Sequence, residues 1–187
     1  MIFAHFLLTE VNEANTYVVG CPETKEALLV DAAAWDPRIP RFLEAHDLTL
    51  SAVLITHDHY DHTGGLKDAV EATGAAAYSG GTQAGGVPTR QVRHGDVVNF
   101  GNVDAKVIAT PGHTPNGLSL IVRDRVFTGD ALFAGSVGGT TSPRNARQQA
   151  DHIREHIFPL PDEFEIHPGH GPSSTVAIER QFNPFFV

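Results

Sequence analysis

The chain has 187 residues, of which 41% are hydrophobic and 19% charged, and its formal net charge is −9. These values argue against extensive disorder and predict one globular domain spanning residues 1–187. The acidic balance argues against a nucleic-acid partner, which would need clustered lysines and arginines. The single cysteine, Cys21, cannot form an internal disulfide and favours a reducing compartment.

Nothing in the sequence predicts contact with a membrane. No apolar run approaches the roughly 18 residues that a membrane span needs. Residues 1–8 lack the basic region and the small-residue cleavage site of a signal peptide. We therefore expect a cytoplasmic protein.

The predicted elements alternate between strands and helices along the chain. Short apolar runs bounded by glycine, proline and asparagine predict strands, and apolar residues spaced i, i+3, i+4 predict helices. The predicted strands are 2–9, 15–20, 26–31, 51–56, 75–78, 96–100, 103–109, 118–122, 125–128 and 163–166. The predicted helices are 37–47, 65–73, 145–157 and 174–180. This order predicts an α/β fold with two sheets packed together and helices outside.

Two glycine-rich segments, 79–86 and 135–143, are predicted to be loops. Neither is followed by the Gly-Lys-Ser/Thr sequence of a phosphate-binding loop, so neither predicts a nucleotide site. No linker or low-complexity segment separates the two roughly similar halves of the chain, which again favours one domain.

Seven side chains of ligand type are predicted to lie on loops after strand-like runs: His57, His59, Asp61, His62, His113, Asp130 and His170. Any single histidine is better explained as an ordinary core or surface residue, but this combination favours a metal site. Residues two apart on an extended segment face the same side, so His57 and His59 can hold one ion. His113, from a distant loop, would complete this first ligand group.

A second ligand group would consist of Asp61, His62 and His170, with Asp130 bridging the two ions through its two oxygens. Imidazole and carboxylate ligands without thiolate suit zinc, iron or manganese. A bound metal lowers the pKa of water from 15.7 to about 7, so such a site favours hydrolytic or oxidative chemistry.

Three other polar residues have open roles. Asp31 ends a predicted buried strand and is either a partner that fixes a histidine tautomer or a structural cap. His152 and His156 lie four apart on a predicted helix, and a solvated helix face is the preferred interpretation because the His-Glu-x-x-His order is absent.

The run His57-Asp58-His59-Tyr60-Asp61-His62, with His113, Asp130 and His170, resembles the ligand set of the metallo-β-lactamase superfamily. The resemblance covers nearly the whole chain and implies a four-layer αββα sandwich. It also implies that each ligand group holds one divalent ion and that Asp130 bridges them.

Residues 127–136 and 168–175 resemble the glyoxalase II branch of this superfamily, which hydrolyses thioesters such as S-lactoylglutathione. The resemblance implies a thioesterase with two divalent ions, zinc first, with iron or manganese as alternatives. A metal-bridging hydroxide would attack the carbonyl carbon. Asp61 and Asp130 are the implied catalytic residues, since Asp130 would fix the two metals and Asp61 would orient the hydroxide or move its proton.

Departures from the glyoxalase II pattern leave alternatives open. Leu120 stands where that group has tyrosine, and Gly138-Gly139-Thr140 stands where it has arginine. The alternatives are a mononuclear iron persulfide dioxygenase, a lactonase of the same fold, and a metal-binding module without catalysis. The metal count and oxygen uptake separate the first alternative from a dinuclear hydrolase.

Overall fold

The computed structural model describes residues 1–187 and contains fourteen strands and five helices. The strands are β1 (Ile2–Leu8), β2 (Ala14–Gly20), β3 (Glu26–Val30), β4 (Thr49–Leu54), β5 (Ala76–Ser79), β6 (Gln83–Ala84), β7 (Val87–Pro88), β8 (Arg90–Gln91), β9 (Val97–Phe100), β10 (Val103–Ala109), β11 (Leu118–Val122), β12 (Arg125–Gly129), β13 (Glu165–Pro168) and β14 (Ser174–Thr175). The helices are α1 (Arg38–Ala45), α2 (Tyr60–Thr63), α3 (Leu66–Thr73), α4 (Pro143–His156) and α5 (Val176–Phe182).

The strands form two six-stranded sheets and one small hairpin. The first sheet has the order β1-β2-β3-β4-β5-β8, and the second has the order β14-β13-β12-β11-β10-β9. Most neighbours are antiparallel, but β3, β4, β5 and β8 run parallel, as do β12 and β13. The strands β6 and β7 pair only with each other.

Three apolar cores divide the structure into four layers. One core packs α1 and α3 on the first sheet, one lies between the sheets, and one packs α4 and α5 on the second sheet. Neighbouring side chains of a strand enter different cores. In β3, Leu28 lies between the sheets and Leu29 faces the helices; in β12, Phe127 lies between the sheets and Val126 faces the helices. This is the two-residue period of a strand. The predicted αββα sandwich is therefore confirmed.

The predicted helix 174–180 begins later than expected, because Ser174–Thr175 form the strand β14. Two predicted loops also contain regular structure. The segment around Tyr60–Thr63 is the short helix α2 rather than a loop, closed by a Gly64 amide that donates to the Tyr60 carbonyl at 2.9 Å. The segment 79–86, expected as a loop, contributes β6 to the small hairpin. Its two-residue turn is Gly85-Gly86, with φ of 52° and 77°, which glycine adopts without steric cost.

The helices of the structure are too short or too polar for a transmembrane role, and none could cross a bilayer. The longest, α4, has 14 residues. It packs on the second sheet through Ile153, which is fully buried.

Candidate metal centre

The seven predicted ligand side chains meet at one edge of the sandwich, where strands of both sheets end. His57 and His59 follow β4, Asp61 and His62 lie in α2, His113 follows β10, Asp130 follows β12, and His170 follows β13. The expectation that all seven lie on loops was thus wrong for Asp61 and His62. In α2 these two side chains are buried, with Asp61 and His62 exposed by only 7% and 0%.

The first ligand group brings three imidazole nitrogens together. His59 Nδ1 lies 3.1 Å from His57 Nε2 and 3.0 Å from His113 Nε2. Around a tetrahedral zinc ion with metal–nitrogen distances near 2.0–2.1 Å, neighbouring nitrogens lie roughly 3.3 Å apart. The spacing and the donor chemistry of this group therefore fit one transition-metal ion.

The second ligand group brings two imidazoles and a carboxylate together. His170 Nε2 lies 3.3 Å from His62 Nε2 and 3.5 Å from Asp61 Oδ2. The three ligand atoms form a compact set like that of the first group. Their chemistry fits a second divalent ion.

Asp130 lies between the two groups. Its Oδ2 is 3.5 Å from His113 Nε2 and 3.7 Å from His170 Nε2, and its Oδ1 is 3.4 Å from His62 Nε2. Oδ1 is buried and makes no hydrogen bond within the protein. A buried carboxylate oxygen without a hydrogen-bond donor raises the free energy of the folded state, and a bound cation would offset this cost.

Outer contacts orient the histidine rings. His57 Nδ1 lies 3.1 Å from Thr56 Oγ1, and His113 Nδ1 donates to the Gly139 carbonyl at 2.6 Å. A ring nitrogen bonded on the outside leaves the other nitrogen free to face the centre, which is the usual arrangement around a bound metal.

Asp31 performs both roles that the sequence left open. Its carboxylate accepts from the Thr56 amide at 2.7 Å and the Thr56 hydroxyl at 2.8 Å, which caps the end of β4. Its Oδ2 also lies 2.9 Å from His62 Nδ1 and so fixes that ring. Asp31 has a φ of 56°, a left-handed conformation that aspartate and asparagine tolerate better than most residues.

Two asparagines near the centre were missed by the sequence analysis. Asn12 Nδ2 donates to Asp61 Oδ2 at 2.7 Å. Asn15 Nδ2 donates to the Pro168 carbonyl at 3.0 Å and the Gly171 carbonyl at 2.9 Å, on either side of His170. The available signal for Asn15 was an asparagine within the apolar run of β2, whereas Asn12 lies in a turn and gave none.

Gly169 provides room for the second ligand group. A Cβ atom at this position would lie 2.2 Å from Asp130 Oδ1 and 2.7 Å from His62 Cε1. Any other residue would therefore displace the bridging carboxylate or the His62 ring. The close approach explains why glycine precedes His170.

The two groups differ electrostatically. Burial lowers the pKa of His57 to about 3 and, with the neighbouring His113, also lowers the pKa of His59. Burial alone would lower the pKa of His62, but Asp31 and Asp130 outweigh it and raise that pKa to about 10. Burial opposes ionisation of Asp130, yet contacts with His62 and the other imidazoles lower its pKa to about 2. Without metal, neutral His57 and His59 therefore lie beside the charged His62 and Asp130.

The histidine pair on α4 does not form another ligand group. Every set of three convergent ligand atoms in the structure belongs to the seven predicted residues. His152 and His156 are half-buried rather than fully solvated, and His94 packs on His156 with 4.4 Å between ring centroids. The expected solvated face was therefore only partly correct.

The sequence profile of the metallo-beta-lactamase superfamily matches residues 9–170, and with the fold and the ligand cluster this shows that the chain belongs to that superfamily. A hydroxyacylglutathione hydrolase from Polaromonas is 33% identical over 82% of the chain, which spans 60% of that relative's length. Another, GloC from Haemophilus influenzae, is 27% identical over 87% of the chain and 88% of its own length. Among solved structures, ETHE1 from Myxococcus xanthus is 36% identical and superposes with a TM-score of 0.85, covering 98% of this chain and 84% of that one.

Proposed function

We propose that this chain forms one metal-dependent hydrolase domain, residues 1–187, that cleaves small thioesters such as S-lactoylglutathione. The observation that carries the proposal is the pair of ligand groups that share the Asp130 carboxylate at 3.4–3.7 Å. Such a pair suits a dinuclear centre that activates water for attack on an acyl group. The superfamily relatives named as hydroxyacylglutathione hydrolases support the substrate class.

In this proposal the seven residues of the sequence prediction hold two divalent ions, with zinc first and iron or manganese as alternatives. His57, His59 and His113 hold one ion, and the second ligand group holds the other. When bound, the ions would supply a nucleophilic hydroxide at neutral pH and polarise the thioester carbonyl.

The protein's own residues prepare the reaction. Asp130 would link the two ligand groups, because its Oδ2 lies near both His113 and His170 and its Oδ1 faces His62. Asp61 is fixed by the Asn12 amide, and we assign it the orientation of the attacking water and the transfer of its proton. His59 and Tyr60 are exposed, so the substrate would approach from their side of the cluster.

The composition of the chain and its match to GloC also support the proposed substrate class and compartment. The net charge of −9 favours a small-molecule partner over a nucleic acid. The single cysteine, buried and unpaired, accords with a cytoplasmic location. GloC supports glutathione thioesters as substrates for a chain of this size, because this chain spans 88% of its length.

A second candidate is the mononuclear iron dioxygenase that acts on a thiol persulfide. The match to ETHE1 fits this alternative, with 36% identity and a TM-score of 0.85. A dioxygenase would contain one iron per chain and consume oxygen, whereas the thioesterase would contain two ions and consume none.

The deciding experiment is the hydrolysis of S-lactoylglutathione by the purified protein, with the metals per chain measured on the same sample. We expect turnover with two ions per chain and loss of turnover in His57→Ala. His46→Ala is the matched control, because His46 is exposed and its ring contacts only the carbonyl of Phe42 and that residue's ring. Oxygen uptake with one iron and no hydrolysis would replace the thioesterase by the dioxygenase.

A further inference from the structure

We propose that a cavity beside α4, separate from the metal centre, binds a small organic anion with an apolar body. This α4 cavity is bounded by residues 137–140, one face of α4, and the aromatic pair Phe185 and Phe186. Its volume is about 460 Å³, which lies within the range of small-molecule sites. None of the seven candidate metal ligands lines it.

The walls of the α4 cavity offer an apolar surface. Its hydrophobic lining consists of Val137, Ala146, Ala150, Phe185 and Phe186. Ala146 and Ala150 are about one turn apart on α4, and their small side chains leave the cavity open at that helix. Phe185 keeps 58% of its surface exposed. A hydrocarbon or aromatic group that covered this surface would remove it from water.

Two arginines give the α4 cavity its charge. Arg147 makes one hydrogen bond within the protein, from Nε to the Pro143 carbonyl at 3.4 Å, and no ion pair, so its terminal nitrogens are free to bind. Arg154 lies over the Phe186 ring at 5.2 Å from the centroid, and its ion pair with Asp151 is long, at 3.9 Å, and exposed.

No acidic residue lines the α4 cavity, although the chain as a whole carries a charge of −9. Arg147 has no ion pair and Arg154 has only a long, exposed one, so the two guanidinium groups beside the apolar walls complement a ligand with a carboxylate, sulfonate or phosphate at one end. An anion is therefore the ligand class that the charges select.

The α4 cavity and the metal centre share one wall. Gly139 lines the cavity, and its carbonyl accepts from His113 Nδ1 on the other side. Gln149 also lines the cavity, is 1% exposed, and donates from Nε2 to the carbonyls of Ala131 at 2.9 Å and Gly138 at 3.1 Å. Gln149 thus joins this wall to α4 by hydrogen bonds. A ligand in the cavity would be separated from the His113 ring by the Gly139 backbone.

The proposal is tested with 8-anilinonaphthalene-1-sulfonate, an apolar anion whose fluorescence rises on binding. We expect saturable binding of one molecule per chain to the metal-loaded protein. The double variant Arg147→Gln and Arg154→Gln should raise the Kd at least about tenfold, because charge-assisted hydrogen bonds are lost. Arg144→Gln, on the same helix but outside the cavity, is the matched control and should not change the Kd.

Two further variants distinguish binding in the α4 cavity from binding at the metal centre. Ala150→Leu retains both arginines but fills the space, and we expect it to abolish binding while circular dichroism shows an unchanged fold. His59→Ala should leave the Kd unchanged, and loss of binding in this variant would place the sulfonate at the metal centre and overturn the proposal. An unchanged Kd in the double arginine variant, or binding that does not saturate, would overturn it as well.

Discussion

The two ligand groups of the centre are built differently although they face each other across Asp130. The first has three imidazoles, of which His59 is exposed and His113 half-buried. Its outer contacts are a threonine hydroxyl and a backbone carbonyl. The second group contains a carboxylate, is more deeply buried, and is held by Asp31, Asn12 and Asn15.

This difference shows how one chain can place two unlike candidate cation sites within a few ångströms of each other. The first group has only imidazole nitrogens as donors, so its geometry depends on the orientation of the rings, which neutral hydrogen bonds suffice to fix. A buried set that includes carboxylates depends on balanced charge, because an unpaired buried charge is far more costly than a lost neutral contact. Substitutions should therefore affect the two groups by different mechanisms.

The largest effect is expected from removing the feature that the groups share. Asp130→Ala removes the carboxylate that lies 3.4–3.7 Å from histidines of both groups. We expect kcat/KM for S-lactoylglutathione to fall by more than about a hundredfold, with fewer metals per chain. Asp58→Ala is the matched control, since Asp58 lies between the ligands but contacts only the Gly85 amide. Full activity with two bound metals in Asp130→Ala would show that the carboxylate is not a bridge.

The stability of the metal-free protein should depend on pH in opposite directions for His57 of the first group and His62 of the second. The pKa of His57 falls to about 3 on folding, so the unfolded state binds more protons between pH 6.5 and 3. The free energy of unfolding should therefore decrease as the pH falls through this window, by at most about 1.4 kcal/mol per pH unit from this group. The pKa of His62 rises to about 10, so its stabilising contribution is complete below pH 6.5 and is lost as the pH rises to 10.

Urea denaturation of the chelator-treated protein over a series of pH values measures both responses. His57→Gln should flatten the acid side of the stability curve, and His62→Gln should flatten the alkaline side. Equal slopes in the wild type and both variants would show that the two groups do not differ in their protonation.

Asp31→Asn should have a smaller effect than Asp130→Ala and should weaken only the second ligand group. Asparagine tolerates the left-handed backbone at this position but removes the negative charge that faces His62. We expect a loss of about 2 kcal/mol of stability and a metal affinity of the second group that is about 10–100-fold lower. Chelator competition measures the two sites, and an equal loss at both would contradict the separation of the groups. Asp36→Asn, at a half-buried aspartate that pairs with the exposed Arg38 away from the centre, is the control.

The smallest effect is expected at Asn12, which donates one hydrogen bond to Asp61. Asn12→Ala should reduce kcat/KM severalfold, consistent with a loss of about 1 kcal/mol, and should leave the first group unaffected. Asn99→Ala also removes an asparagine–aspartate hydrogen bond, to the exposed Asp104, and should leave kcat/KM unchanged. A larger effect in Asn99→Ala than in Asn12→Ala would exclude the proposed role of Asn12.

The fold was predictable because the features that define it are local. The alternation of core sides along β3 and β12, and the amphipathic faces of α1 and α4, follow from two-residue and helical periods in the sequence. The hairpin of β6 and β7 was missed because a glycine-rich segment has the composition of a loop whether or not its backbone pairs.

The candidate ligands were predictable because histidine and aspartate clusters after strands are uncommon and chemically specific. Their supports were not predictable to the same degree. Asn15 reaches the loop around His170 across 153–156 positions of sequence, and the Gly139 carbonyl that anchors His113 is a backbone group that no residue type reveals. Such contacts depend on the packing of the two sheets, which a single sequence does not describe.

The contacts of β2 with the second sheet also bear on how the protein reaches its folded state. Asn15 and Tyr17 bind the backbone around Pro168, so the last ligand to be synthesised, His170, is fixed by one of the first strands. Contacts that join such distant parts of a chain form late, since a long loop must close first. The second ligand group therefore matures only when the two halves have docked, and the rate at which it gains metal during refolding would report that final docking step.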